Sequence, residues 1–167
     1  LGQSIDISDL VRTQEALKAS EQRMKAILER SPNVAIQGFD DQGRVRLWNS
    51  ASEKIFGWPA EEVLGKRLDA LIFTTAQARE FEASLVRMAG TQTVLGPTET
   101  NASARDGRPL TLLSTVFEIP AAEDGTRFIC MDVDITERKQ QEQTIRESEA
   151  SLDAVLQQAA LPMLILD

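Results

Sequence analysis

Two stretches of the chain combine helix-forming residues with apolar positions at helical spacing. They cover residues 9–30 and 137–155 and contain neither glycine nor proline, which favours two long helices. Polar residues interrupt both heptad seams, so the helices are predicted to pair with a register that can shift. The alternative is a solvated helix that lies on its own domain. The apolar seam positions are Ile7, Leu10, Leu17, Met24 and Leu28 in the first helix and Ile135, Ile145, Leu152 and Leu156 in the second.

Between these helices, the pattern changes to strands and short helices. Clusters such as Asp41-Gln42-Gly43 and Arg105-Asp106-Gly107-Arg108 are typical of turns between strands. The alternating segments predict strands over 34–39, 45–48, 98–104, 110–119 and 127–133, and helical spacing predicts helices over 49–56, 60–64 and 76–89. This order predicts an α+β domain, with a five-stranded antiparallel sheet and helices on one face.

Trp48 raises the question of what covers the other face of the sheet. Strict alternation of side chains places Trp48 beside Arg44 and Arg46, on the face opposite to Val45 and Leu47. An aromatic ring there is predicted to be covered by a linker helix or by a second subunit, or else to stack on an arginine. The predicted dimer or linker face therefore comprises Leu10, Leu17, Met24, Leu28 and Trp48.

The sequence also repeats itself at an offset of 128 residues, 134 − 6. Ile5-Asp6-Ile7-Ser8 is similar to Val133-Asp134-Ile135-Thr136, and Ala26-Ile27-Leu28 is similar to Ala154-Val155-Leu156. Chance similarity of two amphipathic helices is the alternative to a true repeat. We interpret the chain as the tail of a preceding module (1–8), a linker helix (9–30), one complete module (31–136), an exit helix (137–155) and the truncated start of a following module (156–167).

Composition narrows the classes of function. The chain has 18 Lys plus Arg and 26 Asp plus Glu, a net charge of −8, which argues against nucleic acid as a partner. It has no histidine and one cysteine, Cys130, which excludes Cys/His zinc sites, disulfides within the chain and histidine-ligated haem. No metal site is predicted.

The sequence contains no signal for a membrane span or for catalysis. Its apolar runs are far shorter than the roughly 20 residues that cross a bilayer, and no secretory signal segment opens it, so a cytoplasmic location is predicted. It has no glycine-rich phosphate loop and no nucleophile elbow, and a serine or cysteine nucleophile would lack a histidine base. The fragment is therefore not expected to be an enzyme.

Four motifs follow one another through the middle of the chain. They are Gly43 to Ala51 with its Trp48-Asn49 pair, Phe56-Gly57-Trp58 to Gly65-Lys66, the Arg105 to Arg108 turn, and Asp132 to Lys139. In this order they resemble the PAS sensor family, and the last is similar to the closing Asp-Ile-Thr motif at which a PAS domain passes into a signalling helix. The resemblance covers residues 31–136 and implies the PAS fold with flanking signalling helices.

The same resemblance implies a place in a larger protein. Tandem PAS modules joined by helices are common in bacterial-type signalling proteins, including two-component systems. The resemblance therefore implies a sensory or signal-relay module, with a separate output domain in the same chain. That output would be a histidine kinase or a cyclic-dinucleotide enzyme, and the residues do not decide between them.

The resemblance also bears on the cofactor. Leu68 occupies the position of the adduct-forming cysteine of light-oxygen-voltage members, so a cysteinyl-flavin adduct is disfavoured, as is haem without a histidine. The last strand aligns Asp132 with the flavin-contacting glutamine of those members, and alternation points Phe128, Cys130 and Asp132 toward the helices. With Asn49, these residues are the candidate pocket residues, and the cofactor is unknown.

Each pocket candidate also has a structural interpretation. A buried Asp132 carboxylate needs a partner because burying an unpaired charge is costly; it could instead pair with an arginine or lie exposed at a strand end. Cys130 could be a small core residue. Asn49 could hydrogen bond locally and fix the turn into the first short helix.

The functional hypothesis is a sensor that relays its signal through a helix. A small molecule or a redox change in the helix-covered pocket would shift the last strand, and Asp134, Ile135 and Thr136 would pass the shift to the exit helix. Thr136 is predicted to be the N-cap of that helix, and the flanking helices are predicted to form a homodimer. The alternatives are a ligand-free interaction module, with a pocket filled by its own side chains, and a non-covalent flavin redox sensor.

Overall fold

The structure, a computed structural model, describes residues 7–159 of the chain. A five-stranded antiparallel sheet lies at the centre of this part. The strands run in the spatial order β2-β1-β5-β4-β3, so β5, the last in the chain, lies at the centre of the sheet and beside β1, the first. The strands are β1 (Ala35–Phe39), β2 (Val45–Trp48), β3 (Val94–Ser103), β4 (Pro109–Glu118) and β5 (Phe128–Asp134). The predicted fold class is confirmed.

Four helices between β2 and β3 cover one face of the sheet. They are α2 (Ser50–Phe56), α3 (Ala60–Val63), α4 (Asp69–Ile72) and α5 (Thr75–Met88); α4 has no counterpart in the sequence-based prediction. Apolar residues of these helices and of the inward face of the sheet form one continuous core. Burying a large apolar side chain contributes about 1.5 to 3 kcal/mol, so this layer supplies much of the stability. The largest buried side chains of the core include Phe39, Phe56, Leu68, Met88, Leu110, Leu112 and Phe128.

Helix α5 is fixed at its start by a capping box. The Thr74 backbone N–H donates to Gln77 Oε1 at 2.9 Å, while the Gln77 backbone N–H donates to Thr74 Oγ1 at 3.5 Å. This exchange satisfies two backbone donors that a helix leaves unpaired at its N-terminus. The Gln77 amide also donates to the Asn101 carbonyl of β3 at 2.6 Å, so one side chain attaches α5 to the edge strand.

A β-bulge in β2 decides the direction of Trp48. Two consecutive residues of β1 pair with Leu47 and Val45, so Arg46 is an extra residue in β2. An extra residue reverses the alternation of side chains beyond it, and Trp48 therefore faces the core together with Val45. The prediction of Trp48 on the outer face, and as part of a dimer or linker face, is wrong for this reason.

Trp48 instead belongs to the core beneath the short helices. Its side chain is 7% exposed, and its ring centroid lies 5.3 Å from that of Phe56. Its indole N–H donates to the Trp58 carbonyl at 2.9 Å. A buried tryptophan needs such an acceptor for its polar atom, so Trp48 connects β2 to the loop between α2 and α3.

Two long helices flank the domain, α1 (Ile7–Glu29) and α6 (Thr136–Ala159). No residue of α1 is buried, and its Leu10, Leu17 and Met24 are 55%, 60% and 58% exposed, with Leu28 half-buried. Helix α1 therefore does not lie along its own domain, and its pairing with another helix stays a prediction. None of the helices between Ile7 and Ala159 has an apolar stretch long enough to cross a bilayer. Residues 1–6 and 160–167, where most of the predicted neighbouring modules fall, lie outside the described residues.

Asp40 organises the turn between β1 and β2. Its Oδ1 accepts hydrogen bonds from the backbone N–H groups of Gln42 and Arg44 at 3.0 and 2.9 Å, and its Oδ2 accepts one from Arg46 Nη2 at 2.9 Å. Burial alone would raise the pKa of Asp40, but these hydrogen bonds outweigh it and hold the pKa below its usual value. The bulge residue Arg46 is thus tied to the turn through one carboxylate.

We expect Asp40→Asn to lower the free energy of unfolding at neutral pH by about 1 to 3 kcal/mol, because it removes the charged acceptor for Arg46. Folding lowers the pKa of Asp40, so this contribution is present above the pKa of the unfolded chain and is lost as the pH falls through the lower folded value. In urea unfolding from about pH 7 to about pH 3, the difference between wild type and variant should therefore shrink. Asp41→Asn, at the exposed next residue, is the control; an equal loss from both substitutions would contradict the role of Asp40.

Candidate functional site

A cavity of about 270 Å³ lies between the sheet and the helices α4 and α5. Ligand pockets usually have about 300 to 1,000 Å³, so this cavity is slightly smaller than that range. The face of α5 that turns toward the sheet supplies much of its wall, because the apolar residues of α5 recur at helical spacing. The apolar residues on the helical side of the cavity are Leu68, Ile72, Phe73, Phe81, Leu85 and Met88.

Four polar side chains gather on the sheet side of the cavity, and three adjacent strands supply them. Ser114 of β4 pairs directly with Asp132 of β5, and Gln37 of β1 pairs directly with Cys130 of β5. All four are buried and line the cavity. Because alternate residues of a strand share a face, the central position of β5 lets Cys130 and Asp132 meet partners from both neighbouring strands.

Asp132 is a buried carboxyl group without a cationic partner. It is 2% exposed, and within residues 7–159 it forms no ion pair. Burial raises the pKa of Asp132, while hydrogen bonds with the side chains of Ser114, Gln37 and Cys130 oppose the rise. Neither structural alternative, an arginine pair or an exposed strand end, describes its position.

Cys130 lines the cavity beside this carboxyl group. Its Sγ donates to Asp132 Oδ1 at 3.4 Å. Burial, together with the charge of Asp132 and the hydrogen bond to it, raises the pKa of the Cys130 thiol well above its usual value. The thiolate is the nucleophilic form of cysteine, so this thiol is poorly suited to covalent chemistry.

Phe128, the third candidate on β5, does not line the cavity. It is fully buried in the core and stacks on Phe39, with ring centroids 5.9 Å apart. Alternation along β5 correctly predicts its face, but it lies beyond the end of the cavity. Its part in the fold is packing.

Asn49 likewise lies outside the cavity and acts as a structural junction. Its Oδ1 accepts hydrogen bonds from the backbone N–H groups of Ser52 and Ile36 at 2.9 and 3.0 Å, which makes it the N-cap of α2. Its Nδ2 donates to the carbonyls of Leu28 in α1 and Val34 at 2.9 and 3.0 Å. The prediction of Asn49 as a pocket residue is wrong, because all these hydrogen bonds join α1, β1 and α2.

The residue after Asn49 reinforces the same junction. Ser50 Oγ donates to the Glu29 carbonyl at 2.6 Å, at the last residue of α1. Carbonyl groups in the last turn of a helix lack partners within the helix. Asn49 and Ser50 satisfy two of these carbonyls, so α1 is attached to the domain at its C-terminal end.

The exit from β5 into α6 is held by β4. The Ile135 backbone N–H donates to the Thr111 carbonyl at 2.9 Å, and the Thr111 N–H donates to Thr136 Oγ1 at 2.9 Å. The Thr136 N–H in turn donates to Asp134 Oδ1 at 2.9 Å. Ile135 is also buried. The three relay candidates therefore form one connection between the sheet and the exit helix.

The predicted N-cap role of Thr136 is wrong. The first backbone hydrogen bond of α6 runs from Lys139 N–H to the Ile135 carbonyl at 2.9 Å, which gives Ile135 the capping position. Pairing of β5 with β4 continues as far as Asp134, opposite Leu112. The Thr136 hydroxyl group therefore accepts a hydrogen bond from the backbone of β4, at Thr111, and not from a backbone N–H group of α6.

Sequence reasoning missed two buried polar residues of the cavity, Gln37 and Ser114. Gln37 is fully buried, and its Oε1 has no hydrogen-bond partner among the described residues. A signal was available, since Gln37 interrupts the apolar strand β1, which is buried along its whole length. Leu68 lines the cavity at the position where the resemblance places an adduct-forming cysteine. Leucine has no sulfur atom, so this position cannot form a cysteinyl-flavin adduct.

Comparison with known proteins gives one curated relative and many solved structures. The chain is 24% identical over 161 residues to the sensor protein FixL of Bradyrhizobium diazoefficiens, an alignment with 94% of this chain and 31% of that protein. The chain thus spans about a third of the length of this relative.

The solved structures are similar in fold. The PAS domain of the HTR-like protein from Haloarcula marismortui matches with a TM-score of 0.60 and 22% identity, over 74% of this chain and 98% of that one. The PAS domain of BvgS from Bordetella pertussis matches with a TM-score of 0.56 and 24% identity, over 80% of this chain and 98% of that one. The family model described as the PAS fold matches residues 28–140, which is more than half of the chain. The chain belongs to the PAS fold family.

Proposed function

We propose that this PAS module binds a small molecule in the cavity beneath α5 and relays binding to the exit helix α6. One observation carries the proposal: the buried carboxyl group of Asp132 lines the cavity on the strand that leads directly into α6. Similarity to part of a sensor protein supports a sensory role. The proposal extends to an output domain elsewhere in the same protein, either a histidine kinase or a cyclic-dinucleotide enzyme.

The relay needs a path from the cavity to α6, and β5 provides one. Asp134 lies two residues after Asp132 and accepts the hydrogen bond of the Thr136 N–H. β5 is paired on both sides, so a ligand that displaces Asp132 also acts on β1 and β4. The signal is limited by the difference in the ligand's affinity for the two arrangements of α6.

Dimerisation through the flanking helices is the second part of the proposal. Four apolar side chains of α6 are more than half exposed, as are most of the large apolar side chains of α1. Exposed apolar stripes of this kind are typical of helices that pair. A homodimer would place two exit helices side by side and give the relay an arrangement to change. The exposed residues of α6 are Ile145, Leu152, Val155 and Leu156.

The exposed stripes also favour a second candidate function, a ligand-free dimerisation module. In that case the cavity side chains Phe81, Leu85 and Met88 would serve only packing, and α1 and α6 would act as connectors. The small volume of the cavity is compatible with this candidate. A non-covalent flavin sensor has less support. The phosphate of a flavin nucleotide needs a basic partner, and the described residues that line the cavity include neither Lys nor Arg.

We expect freshly purified protein to release a small molecule on denaturation, and mass spectrometry of the extract, with an absorbance spectrum before denaturation, checks this. Asp132→Asn should lower the amount recovered per protein, because the buried carboxyl group is the strongest polar contact that the cavity offers. Asp153→Asn, on the exposed surface of α6, should leave it unchanged. An extract without any molecule from wild type would favour the ligand-free module, and flavin absorption would favour the redox sensor.

Thr136→Ala should lower the free energy of unfolding by about 0.5 to 1.5 kcal/mol, because the Thr111 N–H loses its acceptor. Adding the extracted molecule to protein freed of it should change amide hydrogen exchange in the first turns of α6, and this change should be smaller in Thr136→Ala. Thr136→Ser, which keeps the hydroxyl group, is the control. An identical exchange response in wild type and Thr136→Ala would contradict the relay through this residue.

Leu17→Glu should shift the protein from dimer toward monomer, because it places a charge on the apolar seam of α1. Analytical ultracentrifugation over a series of protein concentrations measures the shift. Ala19→Glu introduces the same charge at an exposed position off the seam and should not change the association constant. Equal weakening by both substitutions would show general charge repulsion, and a wild-type monomer at all concentrations would rule out the dimer.

A further inference from the structure

The wall of the cavity contains carboxyl groups and no basic side chain. Asp132 and Glu80 are both in the wall, and the described residues that line the cavity include neither Lys nor Arg; the chain has no histidine. The net charge of the protein is −8. An anionic ligand group would therefore enter a negative environment without a partner for its charge.

Two buried acceptor groups at the sheet side of the cavity are incompletely compensated: one lacks a hydrogen-bond donor and the other lacks an opposite charge. Gln37 is fully buried and lines the cavity, and its Oε1 has no hydrogen-bond partner among the described residues. The carboxyl group of Asp132, on the adjacent strand, has hydrogen bonds but no cation. A buried acceptor that is left unpaired is costly. The unpaired Gln37 oxygen and the Asp132 carboxyl group without a cation point to a ligand that brings both a donor and positive charge.

We propose that the ligand carries a positively charged, hydrogen-bond-donating group of the ammonium or amidinium class, which binds Asp132 and Gln37. Its apolar part packs against the α5 side chains Phe81, Leu85 and Met88. This inference rests on the proposed function of the cavity as a ligand-binding site. It adds the chemical class of the ligand.

The positive charge of such a group offsets the free-energy cost of burying the Asp132 carboxylate. A buried carboxylate is stabilised when an opposite charge and hydrogen bonds satisfy its oxygens together. Ser114, Gln37 and Cys130 already hydrogen bond to Asp132, so the ligand needs to supply only the positive charge and a donor for Gln37 Oε1. A primary ammonium group has three N–H donors, enough to reach both Asp132 and Gln37.

Glu80 is a weaker candidate for the charged contact. It is exposed, and its Oε1 forms an ion pair with Arg87 Nη2 at 3.0 Å. Water and Arg87 therefore already compensate its charge. Glu80 thus serves as a matched acidic control in the same cavity wall.

Isothermal titration calorimetry tests the inference with three ligands that share an apolar chain of the same length and differ in the head group. The ligands are n-hexylamine, n-hexanol and n-hexanoate, and any copurified molecule is removed from the protein first. We expect hexylamine to bind at one site and more tightly than hexanol, with no binding of hexanoate. Asp132→Asn should weaken hexylamine about tenfold or more, which is the order that hydrogen bonds to a charged group contribute. Glu80→Gln should leave the affinity within about twofold. Circular dichroism shows that each variant is folded.

A second variant keeps the test independent of Asp132. Gln37→Met has a similar shape without the acceptor, and it should weaken hexylamine more than hexanol, because a hydroxyl group offers one neutral donor and an ammonium group offers three charged ones. Equal affinities for hexylamine and hexanol, unaffected by Asp132→Asn, would overturn the inference. So would a large loss from Glu80→Gln alone.

Failure of the inference differs from failure of the proposed function. Binding of hexanol or hexanoate without hexylamine would leave a ligand-binding cavity but overturn the cationic head group. If none of the three binds, the charge of the molecule in the extract decides: a cationic molecule supports the inference, and a neutral or anionic one overturns it. No binding together with an extract without any molecule would end both.

Discussion

Pairing of β5 on both edges is the constraint on which the rest of this structure depends. A strand that is hydrogen bonded to β1 and β4 along its length cannot move alone, because any displacement disturbs two ladders. The same strand carries Cys130 and Asp132 into the cavity and delivers Asp134, Ile135 and Thr136 to the start of α6. The wall of the cavity and the start of the exit helix are therefore connected through a single strand.

The cavity joins two kinds of surface with different physical roles. Helices α4 and α5 supply apolar contacts, which favour any ligand of suitable size and discriminate weakly. The sheet supplies a small number of buried polar groups, which would select the proposed ligand by its chemistry. These polar groups come from three adjacent strands, so backbone pairing fixes their positions relative to one another.

Much of the fold could be predicted from the sequence, because alternation and helical spacing are local signals. The strands, the long helices and the inward direction of Asp132 follow from them. Trp48 could not be placed, since a bulge at Arg46 depends on pairing with β1 and reverses the alternation. Threonine is a residue type that favours the N-cap position, but the hydroxyl group of Thr136 bonds to Thr111, which lies 25 residues away in the sequence. A polar residue in the apolar strand β1 marks Gln37 as unusual, but its place in the cavity depends on pairing with Cys130 across the sheet, which the sequence does not show.

The attachment of α1 through Asn49 and Ser50 gives this helix the geometry of a lever. Its 23 residues, at about 1.5 Å each, make a rod about 35 Å long that is fastened at one end by side-chain hydrogen bonds to its final carbonyls. A tilt of about 10° at that fulcrum displaces the distant tip by roughly 6 Å, as follows from the length of the rod. A small adjustment where β1 begins would therefore become a larger displacement at the N-terminal tip of α1.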